Sequence, residues 1–544
     1  MKSSSQEITG IAVMSASPYS RDNVRRGFTH YLLGRGMSAV AGFFTVILLV
    51  RHMDMPSYAA YTAILGFCAL AGMLAGLGME RALARYIPEG VMRHPGPPLR
   101  RFIWIACAAR LAVMAVLIVS LQLSWPLLAT RFSGLAVAAD FPLALAFVLL
   151  NSAMFQLFSA IMQALVQQKI LTRVMVVQWG GRLVLILALL SGDTGITLEQ
   201  SLWLMALPDG IGAVILAWTI HKSITGQAGE TKADRCDASA WPPWRKVNRL
   251  AIDNYGYNLL AALPQSSSMI ILAVAFLAAP FVAAYGFYIN LLERFKQYLP
   301  LQFMLNLAEP VLIANYIHSG DFASLCKHSR LLYKFNLLLL LPGLAWIAAI
   351  AQPLTHILTG GKYAEHAWIL PLLILQLALG GHATIMQIIV NAVGKSGILT
   401  ISGCAALAAM GLAIGVALVS AQYPWLVAAP LAYELVNSLV AVALLGKHGW
   451  RYDLQWWFHG KLTLATLGAW LGAVFAGAQI ESPAGQVLLA GVVALAIFGL
   501  IAALLGVADP DEFHTVRDML KRKQGNTGNS QTSPHSQRGT NREG

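Results

Sequence analysis

Residues 485–507 read GQVLLAGVVALAIFGLIAALLGV, with no charged side chain anywhere in the run. Wound as a helix rising about 1.5 Å per residue, such a run covers the roughly 30 Å hydrocarbon core of a bilayer. It lacks the polar–apolar alternation of a barrel strand about ten residues long. Similar runs recur back along the chain, at 28–50, 58–79, 102–123, 141–165, 174–190, 201–220, 251–276, 281–311, 331–351, 367–390, 398–420, 426–446 and 462–479. The 544 residues are 57% hydrophobic and 12% charged, with mean hydropathy +0.62. That balance lies outside the range of soluble domains. The expected fold class is an all-α polytopic membrane protein of about 14 transmembrane helices.

Where the basic residues lie decides what the net charge of +13 means. With the N-terminus in the cytoplasm, thirty of the 38 Lys and Arg fall in the tails and loops of that side, and three (Arg51, Arg131, Lys362) on the other. This is the positive-inside asymmetry of a membrane protein, and it places both termini in the cytoplasm. Nucleic-acid binding is excluded as the reason for the charge. Cysteines at 68, 107, 236, 326 and 404 show no C-x-x-C spacing and no histidine cluster, so no disulfide framework, metal site or cofactor is expected. The first 27 residues are polar, and their one apolar patch, Gly10 to Met14, is too short for a signal-peptide core.

Ala59-Ala60-Tyr61 recurs as Ala283-Ala284-Tyr285, and Met162-Gln163 with Val166 recurs as Met386-Gln387 with Val390. Both pairs are 224 residues apart. The shared offset predicts two pseudosymmetric halves of six helices each, inserted with the same orientation. The expected organisation is a cytoplasmic N-tail (1–27), an N-lobe (28–220) and a linker (221–250) carrying Trp241-Pro-Pro-Trp244, followed by a C-lobe (251–446). Two additional helices (447–507) and a polar, disordered tail (508–544) complete the chain.

After the second run the chain reads Gly76-Leu-Gly78-Met-Glu-Arg-Ala-Leu-Ala-Arg85-Tyr86-Ile87-Pro88-Glu89, and further on it carries Gly361-Lys-Tyr363-Ala-Glu-His-Ala367 and Asn391-Ala-Val-Gly394-Lys395. These segments resemble the polysaccharide-transport family, the O-antigen and exopolysaccharide flippases, within the multidrug/oligosaccharidyl-lipid/polysaccharide exporter superfamily. The resemblance implies a MATE-like fold of two lobes around a cationic central cavity, in the bacterial inner membrane. It also implies a lipid-linked oligosaccharide or nascent polysaccharide as cargo, with membrane lipids and a glycosyltransferase or polymerase complex as partners. Arg85 and Glu89 stand i,i+4, which fits either an ion pair at a helix end or a substrate contact. Gly394-Lys395-Ser396 lacks the first glycine of a phosphate loop and is flanked by helices. Nothing resembles a nucleophile elbow or kinase set, so the chain is read as no enzyme.

Ionisable groups at membrane depth cost about 2.5–3.5 kcal/mol on insertion scales and are therefore functional candidates. Arg182, Asp209 and Glu434 lie mid-span, and Glu293, Arg294 and Lys296 share one helix. Arg35 and Arg110 lie shallower, where snorkelling competes with a cavity role. A guanidinium grips phosphate with a two-pronged fork, so Arg182 and Arg294, with Lys296 and Arg35, are the expected anion receivers. Tyr255 and Tyr257, on a polar span that runs on to Pro264-Gln265-Ser266-Ser267-Ser268, suit sugar rings. Asp209 and Glu434, each in the last helix of its half, are candidates to carry a coupling proton; the alternative is that each neutralises a buried cation such as Arg182. The expected function is an alternating-access flippase for a polyprenyl-(di)phosphate-linked saccharide. Its rivals are a cation-coupled drug antiporter of the same fold and a scaffold for a polysaccharide synthase.

Overall fold

The computed structural model describes residues 21–93, 96–131, 141–192, 195–227, 241–296, 318–395 and 397–507, with isolated positions 299, 312, 313 and 316. At 21–33, 92–93, 128–131, 226–227, 253–254 and 257–258 it describes the backbone alone. All regular structure among the described residues is helical. The first half contains α1 (Arg21–His52), α2 (Met55–Gly76), α3 (Met79–Arg93), α4 (Pro97–Arg131), α5 (Pro142–Ala164), α6 (Gln168–Leu190) and α7 (Leu198–Gln227). The second contains α8 (Trp244–Ala262), α9 (Ser266–Phe276), α10 (Ala279–Lys296), α11 (Phe322–Thr359), α12 (Ile369–Ala392), α13 (Gly397–Val419) and α14 (Ala429–Lys447). Then come α15 (Trp456–Gly477) and α16 (Pro483–Leu504). The face carrying residues 51–54, 195–198 and 357–363 is the one expected to point out of the cell and is called outer below.

Twelve of the described helices are long and apolar enough to cross a membrane, by length and composition. They correspond to the expected runs other than 251–276 and 281–311. The first of those runs is broken into α8 and α9 around Leu263–Gln265. Pro264 has no N–H for the helical ladder, and at the break the Ala262 carbonyl accepts from Gln265 N–H at 3.0 Å and from the Ser268 hydroxyl at 2.8 Å. The second ends as α10 at Lys296, and residues 300–311 of that expectation lie outside the described residues. Helix α7 runs to Gln227 and α8 begins at Trp244, both within the bounds 221–250 expected for the linker, and residues 228–240 lie outside the described residues. The disordered tail expected at 508–544 also lies outside the described residues.

The motif after α2 forms α3, an amphipathic helix that buries Ala82, Leu83, Tyr86 and Ile87 against Phe102 and Trp241. Gly78 enters it at φ +69, and a Cβ there would stand 2.0 Å from the Ala251 carbonyl oxygen of α8. Only glycine serves where the backbone is left-handed and another helix passes so close. The lobes meet along α2 and α10. A Cβ on Gly286 would lie 2.5 Å from Thr62 Cβ, and these two positions stand at the 224-residue offset of the sequence repeat. A twofold relation between the halves requires this: the helices cross at equivalent positions.

The two additional helices pack closely on each other at Gly468 and Gly472, where an added Cβ would stand 2.5 Å from Ile501 Cδ1 and 2.1 Å from Ile497 Cδ1. They are fastened to α11, where Trp346 Nε1 donates to the Val487 carbonyl at 2.9 Å.

Candidate functional site

A cavity of about 620 Å³ opens between α2 of the N-lobe and α8–α14 of the C-lobe. Amides dominate its polar wall. Gln376, Gly380, Thr384 and Gln387 line it from α12 at spacings of four, four and three, one helical face, while α14 presents Glu434 and Asn437. Asn336 of α11 is 1% exposed, and its Oδ1 has no hydrogen-bond partner. The broken segment contributes Pro264, Gln265, Ser266 and Ser267. The break in the second half's first helix therefore sets a polar turn beside the cavity in place of an apolar helix face. At its charged end, Lys296 Nζ lies 3.3 Å from Glu293 Oε1, with both side chains partly open to the cavity.

The outer side is closed by a different arrangement. Tyr58, Tyr61, Phe287, Tyr288 and Tyr363 are all nearly fully buried, and the Tyr288 hydroxyl bridges the Thr355 hydroxyl and the Tyr363 carbonyl, both at 3.1 Å. Beyond them two cations cross between the lobes in opposite directions. Arg51, at the end of α1, donates through Nε to the Leu358 carbonyl at 2.9 Å and through Nη2 to that of Ile357. Lys362 donates back to the carbonyls of Val50, Arg51 and Met53 at 3.2, 2.7 and 2.8 Å. The last carbonyls of a helix have no partner within it and form the negative end of its dipole, so each lobe caps a helix terminus of the other. Burial pulls the Lys362 ammonium below the ordinary lysine value, and the Asp54 carboxylate opposes the shift.

Charge-assisted hydrogen bonds contribute about 1.5–3 kcal/mol each, and about 1.4 kcal/mol shifts an equilibrium tenfold. The double variant Arg51→Ala/Lys362→Ala is therefore expected to raise labelling of an introduced Asn290→Cys by an impermeant maleimide, applied from outside, by about tenfold or more. The background for this test has its native cysteines replaced. Unchanged labelling would show that the aromatic layer alone closes the outer face.

The structure separates the expected site residues into three groups. Lys296 and Glu434 line the cavity. Arg182 does not: it is 3% exposed, and its Nη2 donates to Asp209 Oδ1, which also accepts from Gln178. Trp179 joins the lobes here, with the Arg182 guanidinium 4.3 Å and the Arg294 guanidinium 3.8 Å from its ring centre. A Cβ on Gly42 of α1 would lie 3.2 Å from Arg294 Nε, so α1 has no side chain where the guanidinium passes. Asp209 and Glu434 thus have unlike surroundings despite their matching places in the two halves. Arg35 is half-buried on α1 and Tyr255 half-buried on α8, neither in the cavity lining, while the side chain of Tyr257 lies outside the described residues. Arg110 does not snorkel. It is 2% exposed and held by Glu80 at 2.9 Å and the Gly72 carbonyl at 3.0 Å. Reading ionisable groups, tyrosines and the polar span around Pro264 missed the amides of α12, although Gln376, Thr384 and Gln387 on one helical face were available as a signal.

Residues 24–240 match the family model described as polysaccharide biosynthesis protein, the family read from the motifs. No curated protein sequence matches the chain. Among solved structures, the lipid II flippase MurJ in an inward closed conformation aligns with TM-score 0.65 at 11% identity, over 90% of this chain and 99% of MurJ. An inward-facing multidrug resistance MATE family transporter of the MOP superfamily aligns with TM-score 0.53 at 14% identity, over 77% of this chain and 98% of its own. The eukaryotic MATE transporter AtDTX14 gives TM-score 0.52 at 13% identity, over 78% and 95%. At these identities the likeness is one of fold. The chain is a multi-pass membrane protein with the MurJ/MATE architecture.

Proposed function

We propose that this protein carries a polyprenyl-(di)phosphate-linked oligosaccharide or polysaccharide precursor across the bacterial inner membrane by alternating access. The observation that carries the reading is the cavity wall. Amides and hydroxyls in number suit the many hydroxyls of a sugar, and Lys296 offers a cation to the phosphate. The family match over residues 24–240 and the MurJ-like fold support it. Both termini are cytoplasmic in this reading, on the thirty-to-three division of basic residues. Arg294, over Trp179 at the lobe boundary, registers lobe movement in this reading. Glycosyltransferases or a polymerase acting on the same saccharide are the partners this role implies.

A second reading has one observation in its favour. The cavity holds two carboxylates, Glu293 and Glu434, against one ammonium, which a cation-coupled antiporter of small molecules would also use.

The deciding experiment uses inverted vesicles loaded with a labelled polyprenyl-diphosphate oligosaccharide. The expected result is movement of the sugar to the protected leaflet, reduced about tenfold or more by Lys296→Ala. Active phosphatase fusions near residue 362 and inactive ones near 235 accompany it, to check the orientation. Export of cationic drugs without sugar-lipid movement would establish the antiporter instead.

A further inference from the structure

Where the C-lobe meets the two additional helices, on the face opposite the clasp, basic and aromatic side chains close into a ring. Residues 322–334 and 447–461 carry six lysines and arginines against one carboxylate, Asp453. Two of these cations, Arg330 and Lys334, stand about one turn apart on α11. The Arg330 guanidinium lies 5.8 Å from the ring centre of Tyr452, in the loop before α15. The Lys334 ammonium lies 4.7 Å from that of Phe458, on α15. From one end to the other the aromatic rings are continuous. Tyr452 meets His382 of α12 at 5.8 Å, and His382 meets Tyr333 of α11 at 5.3 Å. Tyr333 meets His459 at 6.0 Å, and His459 meets Phe458 at 5.5 Å, all between ring centres.

A cation that only satisfies the positive-inside rule ranges freely in water, whereas Arg330 is held. Its Nε donates to the Cys326 carbonyl at 3.3 Å and its Nη1 to Asp453 at 3.4 Å. The Asp453 side chain is 71% exposed, so that pairing is weak. Beside the held cation stands an unmet group. His382 is 6% exposed, and neither its Nδ1 nor its Nε2 has a hydrogen-bond partner. A neutral imidazole carries one donor and one acceptor, and buried polar groups are met by partners with few exceptions. A hydroxyl can serve both nitrogens' needs. The depth of the ring is marked by Trp456 and Trp457, which open α15 with most of their surface exposed. Such tryptophans lie at the level of lipid headgroups. Farther along the same two helices Leu339 and Leu464 are exposed, an apolar surface for acyl chains.

We propose that this ring binds an anionic phospholipid with a hydroxylated head, of the phosphatidylglycerol kind. Arg330 and Lys334 take the phosphate, as basic pockets between membrane helices do. A head hydroxyl entering beside Tyr452 donates to one nitrogen of His382 or accepts from the other. A head ending in an ammonium is disfavoured by the same cations. Helices α11 and α12 belong to the C-lobe, while the loop and α15 belong to the additional pair, so the bound head ties the two together. The site does not depend on what the central cavity carries.

The test titrates the full-length protein, delipidated in detergent, with phosphatidylglycerol, phosphatidic acid and phosphatidylcholine of the same acyl chains, and with glycerol phosphate. Bound lipid is counted by native mass spectrometry. Phosphatidylglycerol is expected to bind about tenfold more tightly than phosphatidylcholine, with phosphatidic acid between them. Arg330→Gln/Lys334→Gln is expected to remove that preference. Lys327→Gln/Arg451→Gln takes the same charge from exposed positions of the same surface and is expected to keep it. His382→Phe retains the ring packing and is expected to bring phosphatidylglycerol down to the level of phosphatidic acid, whose own binding stays unchanged. Equal losses in the two double variants would reduce the ring to diffuse surface charge and overturn the site. Phosphatidylglycerol binding unaltered in His382→Phe overturns it as well, even where the charge variant fails to fold. Displacement of the lipid by an equal concentration of glycerol phosphate overturns a lipid as the occupant.

Discussion

Gly286→Val is expected to lower the melting temperature of the purified protein and to remove most export activity, with Thr62→Gly restoring much of both. The Cβ that valine adds would meet Thr62 Cβ, Cγ2 and Oγ1 at 2.5–2.6 Å. Thr62 is fully buried, and its hydroxyl is tied to the Ala59 carbonyl at 2.9 Å, so it has nowhere to turn. Overpacking of this kind costs about 1–3 kcal/mol where one site must yield. Here the atoms that must yield belong to two lobes, and the cheapest relief is to separate α10 from α2. The closed outer face should thus be lost before the fold is. Because Thr62 Cβ is itself among the clashing atoms, Thr62→Ala should rescue less than Thr62→Gly. A Gly286→Val protein with unaltered melting and export would show that the crossing is looser than these distances require.

The second large effect is expected at Arg182. If Arg182 served only as the anion receiver expected from the sequence, Arg182→Ala would spare folding and abolish export. The buried pairing with Asp209 changes that expectation. Removing one partner of a buried ion pair leaves an uncompensated charge and costs about 3–5 kcal/mol. Arg182→Ala should therefore reduce the yield of folded protein, measured by size-exclusion chromatography of detergent extracts. Asp209→Asn in the same background should restore the yield, because an amide needs no counter-charge and still bonds Gln178. If the single variant folds normally and fails only in transport, Arg182 serves the cargo directly.

Much of the architecture was legible because apolar length is a one-dimensional signal. Twelve of the fourteen expected runs reappear among the described residues as single helices long and apolar enough to cross a membrane, and the other two, around Pro264 and Lys296, carry polar residues that line the cavity. The repeat was legible from two short matches, and the same 224-residue offset relates Gly286 to Thr62 where the helices cross. The site was only partly legible. Charge at depth pointed to Glu434 and Lys296, but depth alone cannot say which way a helix is turned. Arg182 and Arg294 therefore read as cavity residues when one is held by Asp209 and both lie on Trp179. Neutral amides such as Asn336 and Gln376 carry no charge penalty to draw attention, and only their shared face reveals them.

The outer clasp has an unusual heredity. Every oxygen it grips, on Val50, Arg51, Met53, Ile357 and Leu358, belongs to the main chain. No codon change at those positions can delete an acceptor, so drift at Val50, Met53, Ile357 and Leu358 leaves the clasp untouched. Selection can reach it only by way of the two donors, Arg51 and Lys362. A charge-reversal pair, the usual proof of a salt bridge, has no counterpart here, because two carboxylates facing two helix ends would repel both. In a mutational scan for leaky or sluggish carriers, hits at the outer face should gather at two positions in a field of silent ones.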